Sequence, residues 1–460
     1  MSADQKPEPA SGPPQAQRTR RDRDDEDERT RPDRDDEDER TRPDRDDEDE
    51  RTRRDRDDED ERARLEREDR EERELVREPD LNQESDRSST RLELFFDLAF
   101  VLFVAGCADV LAKNETAAGG LKFAALLAVG WWAWASTTLY ANRFDTDDAI
   151  FRLLTLTGMA GVIVMAASAD QVTGSAGTWF ALGYAVLRIV LVVGYLRVWR
   201  TLPETRVGIR PYLIGHAAGA AFWLVSLMVA APGRYVLWGV GVLVDLIGPA
   251  LAARLPDAPP LHMEHLPERF GLFVILVLGE SIGGTVHGLH EGKWTAGVVT
   301  TALAAFLVAA ALWWSYFDLS GGAAKRRLVK EGGERTREGV HDFYVYAHLP
   351  VAISLAAVAV GLEHAIAHGS EEHLSAGTRG VLGAGLAGYL LSAALIQGVL
   401  AGHHRAVLVW PGLGVPAIVV IMVLDLAPPV LVGICAAVMI GGVMTGIYQH
   451  RHGEIHVAKV

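Results

Sequence analysis

L-P-E-R-F-G-L-F-V-I-L-V-L-G-E-S-I, residues Leu266–Ile282, is the stretch from which the fold can be read. Two acids, Glu268 and Glu280, bracket an apolar run, and Arg269 sits beside the first. The run reads as the start of a membrane helix. An ionised side chain at the centre of a bilayer costs about 2.5–3.5 kcal/mol even on lenient insertion scales, so Glu268 and Arg269 belong at the interface. Glu280 is twelve residues further on, roughly 18 Å along a helix at ~1.5 Å per residue. That depth is well inside the hydrocarbon, and a carboxylate there, next to Ser281, is a candidate functional site.

The composition supports this once the charge is located. The chain of 460 residues is 49% hydrophobic yet 23% charged, a combination that no uniform membrane protein has. Residues 1–90 hold 22 Lys and Arg against 36 Asp and Glu; the other 370 hold 24 against 25. The acidity therefore belongs to the N-terminal segment, and the nearly neutral, apolar remainder reads as a polytopic membrane protein. Within the tail, D-R-D-D-E-D-E-R-T-R-P stands at 22–32 and 33–43 and recurs with altered endings at 44–54 and 55–65. Such a segment has no apolar face to offset the entropy of ordering, so residues 1–90 are expected to be a disordered charged tail. No charged-then-apolar leader precedes it, so no signal peptide is expected.

Twelve apolar runs can span ~30 Å of hydrocarbon: 94–111, 120–141, 149–169, 177–198, 211–231, 234–252, 269–287, 296–317, 343–364, 376–399, 406–424 and 429–448. With the tail in the cytoplasm, seventeen Lys and Arg fall in inward loops or at inward ends against five outward, a positive-inside bias. The expectation is an all-α polytopic protein of the inner membrane with both termini cytoplasmic. Helix 1 opens L-E-L-F-F-D-L (Leu92–Leu98) and helix 7 opens P-E-R-F-G-L-F (Pro267–Phe273). Helix 2 ends with Trp131-Trp132, Tyr140 and Phe144-Asp145; helix 8 ends with Trp313-Trp314, Tyr316 and Phe317-Asp318. Two parallel six-helix halves, 91–255 and 256–460, account for both likenesses, and such halves commonly frame an ion or solute site.

Several polar groups need explaining. Glu93 and Asp97 share a face of helix 1; Asp97, within F-F-D-L-A-F, reads either as an interfacial acid pairing with a basic residue or as a group handling protons or cations. Asn142–Asp148 is a dense polar turn, in which Asp145, Thr146 and Asp148 can cap helix 3. Arg143 is expected to pair with Asp145 or Asp97, and the acids Asp145, Asp147 and Asp148 can also suit a hard cation. Arg188, His216 and Asp245 lie mid-run, where an arginine must find a carboxylate or water; Asp245 and Glu280 are its candidate partners. Gln397 stands for that arginine in the second half.

Fifteen histidines include His262 and His265 in H-M-E-H and His364 and His368 in E-H-A-I-A-H. These spacings suit zinc given a third ligand or pH sensing, and neither is H-E-x-x-H. His341, His348, His403 and His404 also fall near helix ends. Cys107 and Cys435 lie inside apolar runs and read as small buried hydrophobes, so a disulfide framework or cysteine metal site is excluded. No P-loop occurs, and the G-x-G-x-x-G at Gly383–Gly388 lies inside a span, where it is a helix-packing pattern. G-E-S-I around Ser281 is not a nucleophile elbow. No catalytic residue is assigned, cofactor and metal remain open, and a nucleic-acid partner is not expected.

E-L-F-F-D-L, N-R-F-D-T-D-D and E-R-F-G-L-F-V-I-L-V-L-G-E-S-I, in this order, resemble the bacterial low-temperature-requirement protein A (LtrA) family over about residues 91–450. The resemblance implies a multi-pass inner-membrane protein and maps the family's motif positions onto Glu93, Phe96, Asp97, Arg143, Phe144, Asp145, Asp147, Asp148, Glu268, Arg269, Phe270, Gly279, Glu280 and Ser281. It implies no substrate or reaction, and the tail has no counterpart in it. A phenylalanine–acid motif opening each half is also similar, at fold level alone, to lysosomal-type potassium channels.

The leading expectation is a secondary transporter or channel for a small cation or a proton-coupled solute. Its pathway residues would be Glu93, Asp97, Arg143, Asp145, Asp147, Asp148, Arg188, Asp245, Glu268, Arg269, Glu280 and Ser281. Two alternatives stay open. One is a membrane enzyme acting on lipid or a lipid-linked substrate through the cytoplasmic-face groups of 145–148, Glu268, Arg269, His341 and Asp342. The other is a non-catalytic stress or signalling protein whose tail docks a cytoplasmic partner. A homo-oligomer is compatible with each.

Overall fold

The computed structural model describes residues 77–81, 90–145, 148–252, 265–321, 334–401 and 404–451, with single positions at 255, 259 and 261. The expected disorder of the repeat segment falls outside the described residues. Each of the twelve apolar runs forms a long helix: α1 Arg91–Ala112, α2 Ala117–Arg143, α3 Ala149–Ser168, α4 Gly177–Thr201, α5 Arg206–Ser226, α6 Gly233–Ala252, α7 His265–Glu291, α8 Ala296–Trp314, α9 Glu334–Ala367, α10 Ala376–Ala401, α11 His404–Val423 and α12 Pro428–Arg451. A π-helical turn, Ser315–Gly321, continues α8.

Local chemistry sets the starts. Thr90 and Glu93 make a capping box on α1: the Glu93 N–H donates to Thr90 Oγ1 (3.2 Å) and the Thr90 N–H to Glu93 Oε2 (3.0 Å). Thr116, Asp148 and Thr295 cap α2, α3 and α8 through their side-chain oxygens. Each cap satisfies an N–H that the helix leaves unpaired.

Nine of the helices, among the described residues, are long and apolar enough to cross a membrane. The sequence predicts twelve spans; α2, α5 and α11 fall short. For α2 and α5 the reason is local composition: α2 carries Lys122, Asn142 and Arg143 with three tryptophans, and α5 carries Arg206, Arg210 and His216; the described side chains of α11 make only the shorter apolar segment Val409–Val423. From Trp131 to Ser136 every residue of α2 is buried, so that stretch meets protein rather than lipid. Conversely, Leu102, Leu153, Leu243 and Leu303 are exposed on the outer faces of spanning helices, as lipid-facing side chains are.

Helix order determines what meets at the centre. α1 packs on α2 and α3, α3 on α4, α4 on α5 and α5 on α6. Likewise α7 packs on α8 and α9, α9 on α10 and α10 on α11. The two sets touch through α1, α2, α7 and α9. The small-residue pattern on α10 is a packing surface: a Cβ at Gly385 would lie 2.8 Å from Val358 N, and one at Gly383 would lie 2.6 Å from the Met422 side chain. Cys107 and Cys435 are buried and unbridged.

One short β-ladder departs from the all-helical expectation. β1 (Asp80–Leu81) pairs antiparallel with β2 (Phe144–Asp145), in register Asp80 with Asp145 and Leu81 with Phe144. Residues 77–81, assigned by sequence to the tail, thus lie on the loop after α2.

Candidate functional site

Glu93 and Asp97 on α1 face Arg269 on α7, so the two sequence motifs meet. Asp97 is buried; Trp134 Nε1 donates to its Oδ1 at 2.8 Å and Arg269 Nη2 donates to the same atom at 3.1 Å. Arg269 Nη1 lies 3.1 Å from Asp97 Oδ2 and 4.0 Å from Glu93 Oε2, close enough for charge pairing though not aligned as a further hydrogen bond. Phe270 and Phe273 close over Trp134, with ring centroids at 5.0 and 4.2 Å. Asp97 therefore pairs across the helix junction with Arg269, and Glu268, next to it, is exposed.

Arg188, His216 and Asp245 also converge. Asp245 on α6 accepts from Arg188 Nη1 (2.7 Å), Tyr184 OH (2.9 Å) and Trp132 Nε1 (3.0 Å), and His216 Nδ1 lies against its Oδ1. Arg188 and Asp245 are both 0% exposed. An ionised carboxylate has about four acceptor positions, so four partners leave no room for a passing ion. Of the two acids the sequence offers Arg188, Asp245 is the partner and Glu280 is not.

Of the two acids expected for Arg143, Asp97 pairs with Arg269 instead, and the Asp145 side chain lies outside what is described. Arg143 Nη2 donates to Tyr212 OH (2.8 Å) and its Nη1 to Leu139 O (3.3 Å), with its guanidinium 4.7 Å from the Tyr212 ring centre. Arg143 turns into the aromatic packing of Tyr140, Tyr195 and Tyr212. Asp148 caps α3, accepting from Phe151 N (2.9 Å), and binds Arg197 (2.8 Å). The Arg77 N–H donates to it as well, and Arg197 donates to Arg77 O. Burial alone would raise the Asp148 pKa, but Arg197 and these backbone N–H groups hold it below the ordinary carboxylate value. The Asp145 side chain, Asp147 and the side chains of His341 and Asp342 lie outside what is described. The cation reading of 145–148 is therefore outside it too, and among the described residues no group of three His, Cys, Asp or Glu is placed to hold a metal ion.

Glu280 has a separate neighbourhood. It is half-buried, in no ion pair among the described residues, and near enough to Glu363 of α9 and Asp109 of α1 for their charges to act on it. Gly284 and His287 follow it on the same face of α7 at helical spacing. Gly284 brings the helices together: a Cβ there would lie 3.1 Å from both Glu363 Cβ and Oε2. His287 Nε2 lies 3.6 Å from Glu363 Oε1 and 3.3 Å from Glu291 Oε1. Ser281 is buried, and its Oγ has no hydrogen-bond partner among the described residues.

A model of the bacterial low temperature requirement A protein (LtrA) family matches residues 88–444. The chain belongs to the LtrA family. An uncharacterized protein of Rhizobium meliloti (strain 1021) is 27% identical over 284 residues, which cover 60% of this chain and 69% of that relative. No solved structure matches the chain. The LtrA match runs from the start of α1 into α12 and so takes in all three charge clusters.

Within this LtrA chain, sequence reasoning missed several partners. Trp132, Trp134 and Tyr184 serve the two buried acids, and Asp109, which lies in the apolar C-A-D-V of α1, is near enough to Glu280 for its charge to act on it. An acid in that run is as readable a signal as Asp97. The Trp pairs differ between the likened segments: Trp131 and Trp132 are buried, Trp313 and Trp314 about half exposed.

Proposed function

We propose that the protein is a secondary transporter or channel for a small cation or a proton-coupled solute. The reading takes it as twelve spans in two parallel six-helix repeats, in the inner membrane with both termini cytoplasmic. The observation that carries the transport reading is the acid seam of Glu280, Glu363 and Asp109. These carboxylates come from three different apolar helices, and Glu280 has no counter-ion among the described residues. Ionisable groups within spanning helices are the usual mark of an ion or proton route. By contrast, Asp97–Arg269 and Arg188–Asp245 are close, buried pairs, and they serve as fixed struts on either side.

The repeat is supported by the order of packing, in which α1–α5 and α7–α11 contact one another in the same succession. Spans α2, α5 and α11 are placed in the membrane because their neighbours on both sides in the chain are membrane helices.

In this mechanism, a proton or cation enters between α7 and α9, meets Glu363 and His287, and is relayed to Glu280. His287, 3.6 Å from Glu363 and 3.3 Å from Glu291, is the basic group that faces the seam at its entrance. Flux into liposomes carrying the purified full chain tests the reading. Uptake of protons or monovalent cations above protein-free liposomes is expected; equal leakage in both overturns it.

A further inference from the structure

We propose that a second site, separate from the acid seam, binds a small organic ammonium ion with a compact apolar body. It is a cavity of about 430 Å³ where α1 and α2 meet α9 and α10, within the ~300–1,000 Å³ of ordinary ligand pockets. Its walls are apolar, with Leu111, Phe123, Ile353, Val381 and Ala384 among them, and among the described residues Glu115 is the one charged group lining it. Polar groups that few and that placed fix a ligand's orientation while apolar walls supply contact.

Glu115 is built into the site rather than left at a surface. His364 Nδ1 lies 2.7 Å from its Oε1, Thr378 Oγ1 donates to Oε2 at 2.8 Å, and Ser375 Oγ donates to Oε2 at 3.3 Å. Three partners leave one of its about four acceptor positions, and a charged ammonium donor would make the stronger kind of hydrogen bond there. The carboxyl also stays ionised: burial works against it, but His364, Thr378 and Ser375 hold its pKa below the ordinary value.

Two further observations point to an occupant. Ser354 lines the cavity, is 6% exposed, and its hydroxyl has no hydrogen-bond partner among the described residues. A polar group of a ligand in the cavity can supply one. Gly120 and Gly380 also line the cavity, and a Cβ at either would meet nothing within 4 Å. The space beside them is open and is not required for helix packing. The site stands independently of the transport reading, since none of Glu280, Glu363 and Asp109 lines it.

Calorimetric titration of the full chain in nanodiscs with 2-phenylethylamine, against empty nanodiscs and against uncharged 2-phenylethanol, tests the proposal. The amine is expected to bind saturably and the alcohol about tenfold more weakly or worse. Glu115→Gln, which keeps the shape but not the charge, is expected to weaken the amine about tenfold and leave the alcohol unchanged. Gly380→Leu, which fills open space and does not depend on Glu115, is expected to remove binding of both. Amine uptake no greater than by empty nanodiscs, equal binding of amine and alcohol, or unaltered binding in folded Gly380→Leu overturns it. So does native mass spectrometry showing a phospholipid that the amine cannot displace from the wild type but that Gly380→Leu has lost.

Discussion

Arg269 on α7 donates to Asp97 on α1 at 3.1 Å, and this buried pair joins the first helix of residues 91–252 to the first helix of residues 265–451. Removing one member of a buried pair leaves a charge in a site that water does not reach, which costs about 3–5 kcal/mol. Arg269→Ala and Asp97→Ala are each expected to lose stability on that scale. The double variant is expected to lose clearly less than the sum of the two. Thermal unfolding of the four proteins in one detergent measures the coupling, and strict additivity would contradict the pairing.

The Asp245 cluster predicts a graded series. Trp132→Phe keeps the aromatic volume and deletes one hydrogen bond to a charged acceptor, a loss of about 1.5–3 kcal/mol. Arg188→Leu strips the acid of its fixed countercharge and is expected to cost more, about 3–5 kcal/mol. Reversal of that order in unfolding measurements would mean that Asp245 is protonated or hydrated.

Helices α3 and α4 touch backbone to backbone at Gly161 and Gly183. A Cβ at Gly183 would sit 2.6 Å from Gly161 O, and one at Gly161 would sit 2.8 Å from Gly183 O. Alanine at either position must push the helices apart, at about 1–3 kcal/mol. Gly279, with nothing within 4 Å of its Cβ position, is expected to accept alanine at no cost. Equal melting temperatures for Gly183→Ala and Gly279→Ala would refute the close contact.

Asp148 predicts a pH dependence with a definite sign. Its folded pKa lies below the ordinary 3.8, so its contribution is present in full above that value and fades as pH falls through the depressed folded pKa. Asp148→Asn is expected to be less stable than wild type at neutral pH. The gap between the two melting temperatures narrows once the pH drops below about 4. A gap that is constant down to about pH 2, or one that opens on acidification, would contradict the Asp148–Arg197 arrangement.

Much of this molecule is legible in its sequence because hydrocarbon is a severe solvent. Runs such as 94–111 and 296–317 have no stable place except a helix, and Arg188 had to find an acid. That its partner is Asp245 and not Glu280 depends on how α4, α5 and α6 rotate against one another, and periodicity does not determine rotation. Arg143 shows a related limit. A cation beside acids in the chain suggests a carboxylate partner, and periodicity does not show that the fold also brings Tyr140, Tyr195 and Tyr212, from three helices, around it. The Glu115 cavity was invisible because its parts, 115, 354, 364 and 378, are scattered and each looks ordinary alone. The likeness of E-L-F-F-D to P-E-R-F-G pointed to the right junction without showing that Arg269 crosses it.

Whether the acid seam carries ions is most directly tested by proton flux into liposomes loaded with a pH-reporting dye, comparing wild type, Glu280→Gln and Glu280→Asp. Glutamine removes the titrating group at nearly constant shape, whereas aspartate retains it. The account predicts flux in wild type, loss of most of it in Glu280→Gln, and partial recovery in Glu280→Asp with all three proteins equally folded. Undiminished flux in Glu280→Gln would contradict it.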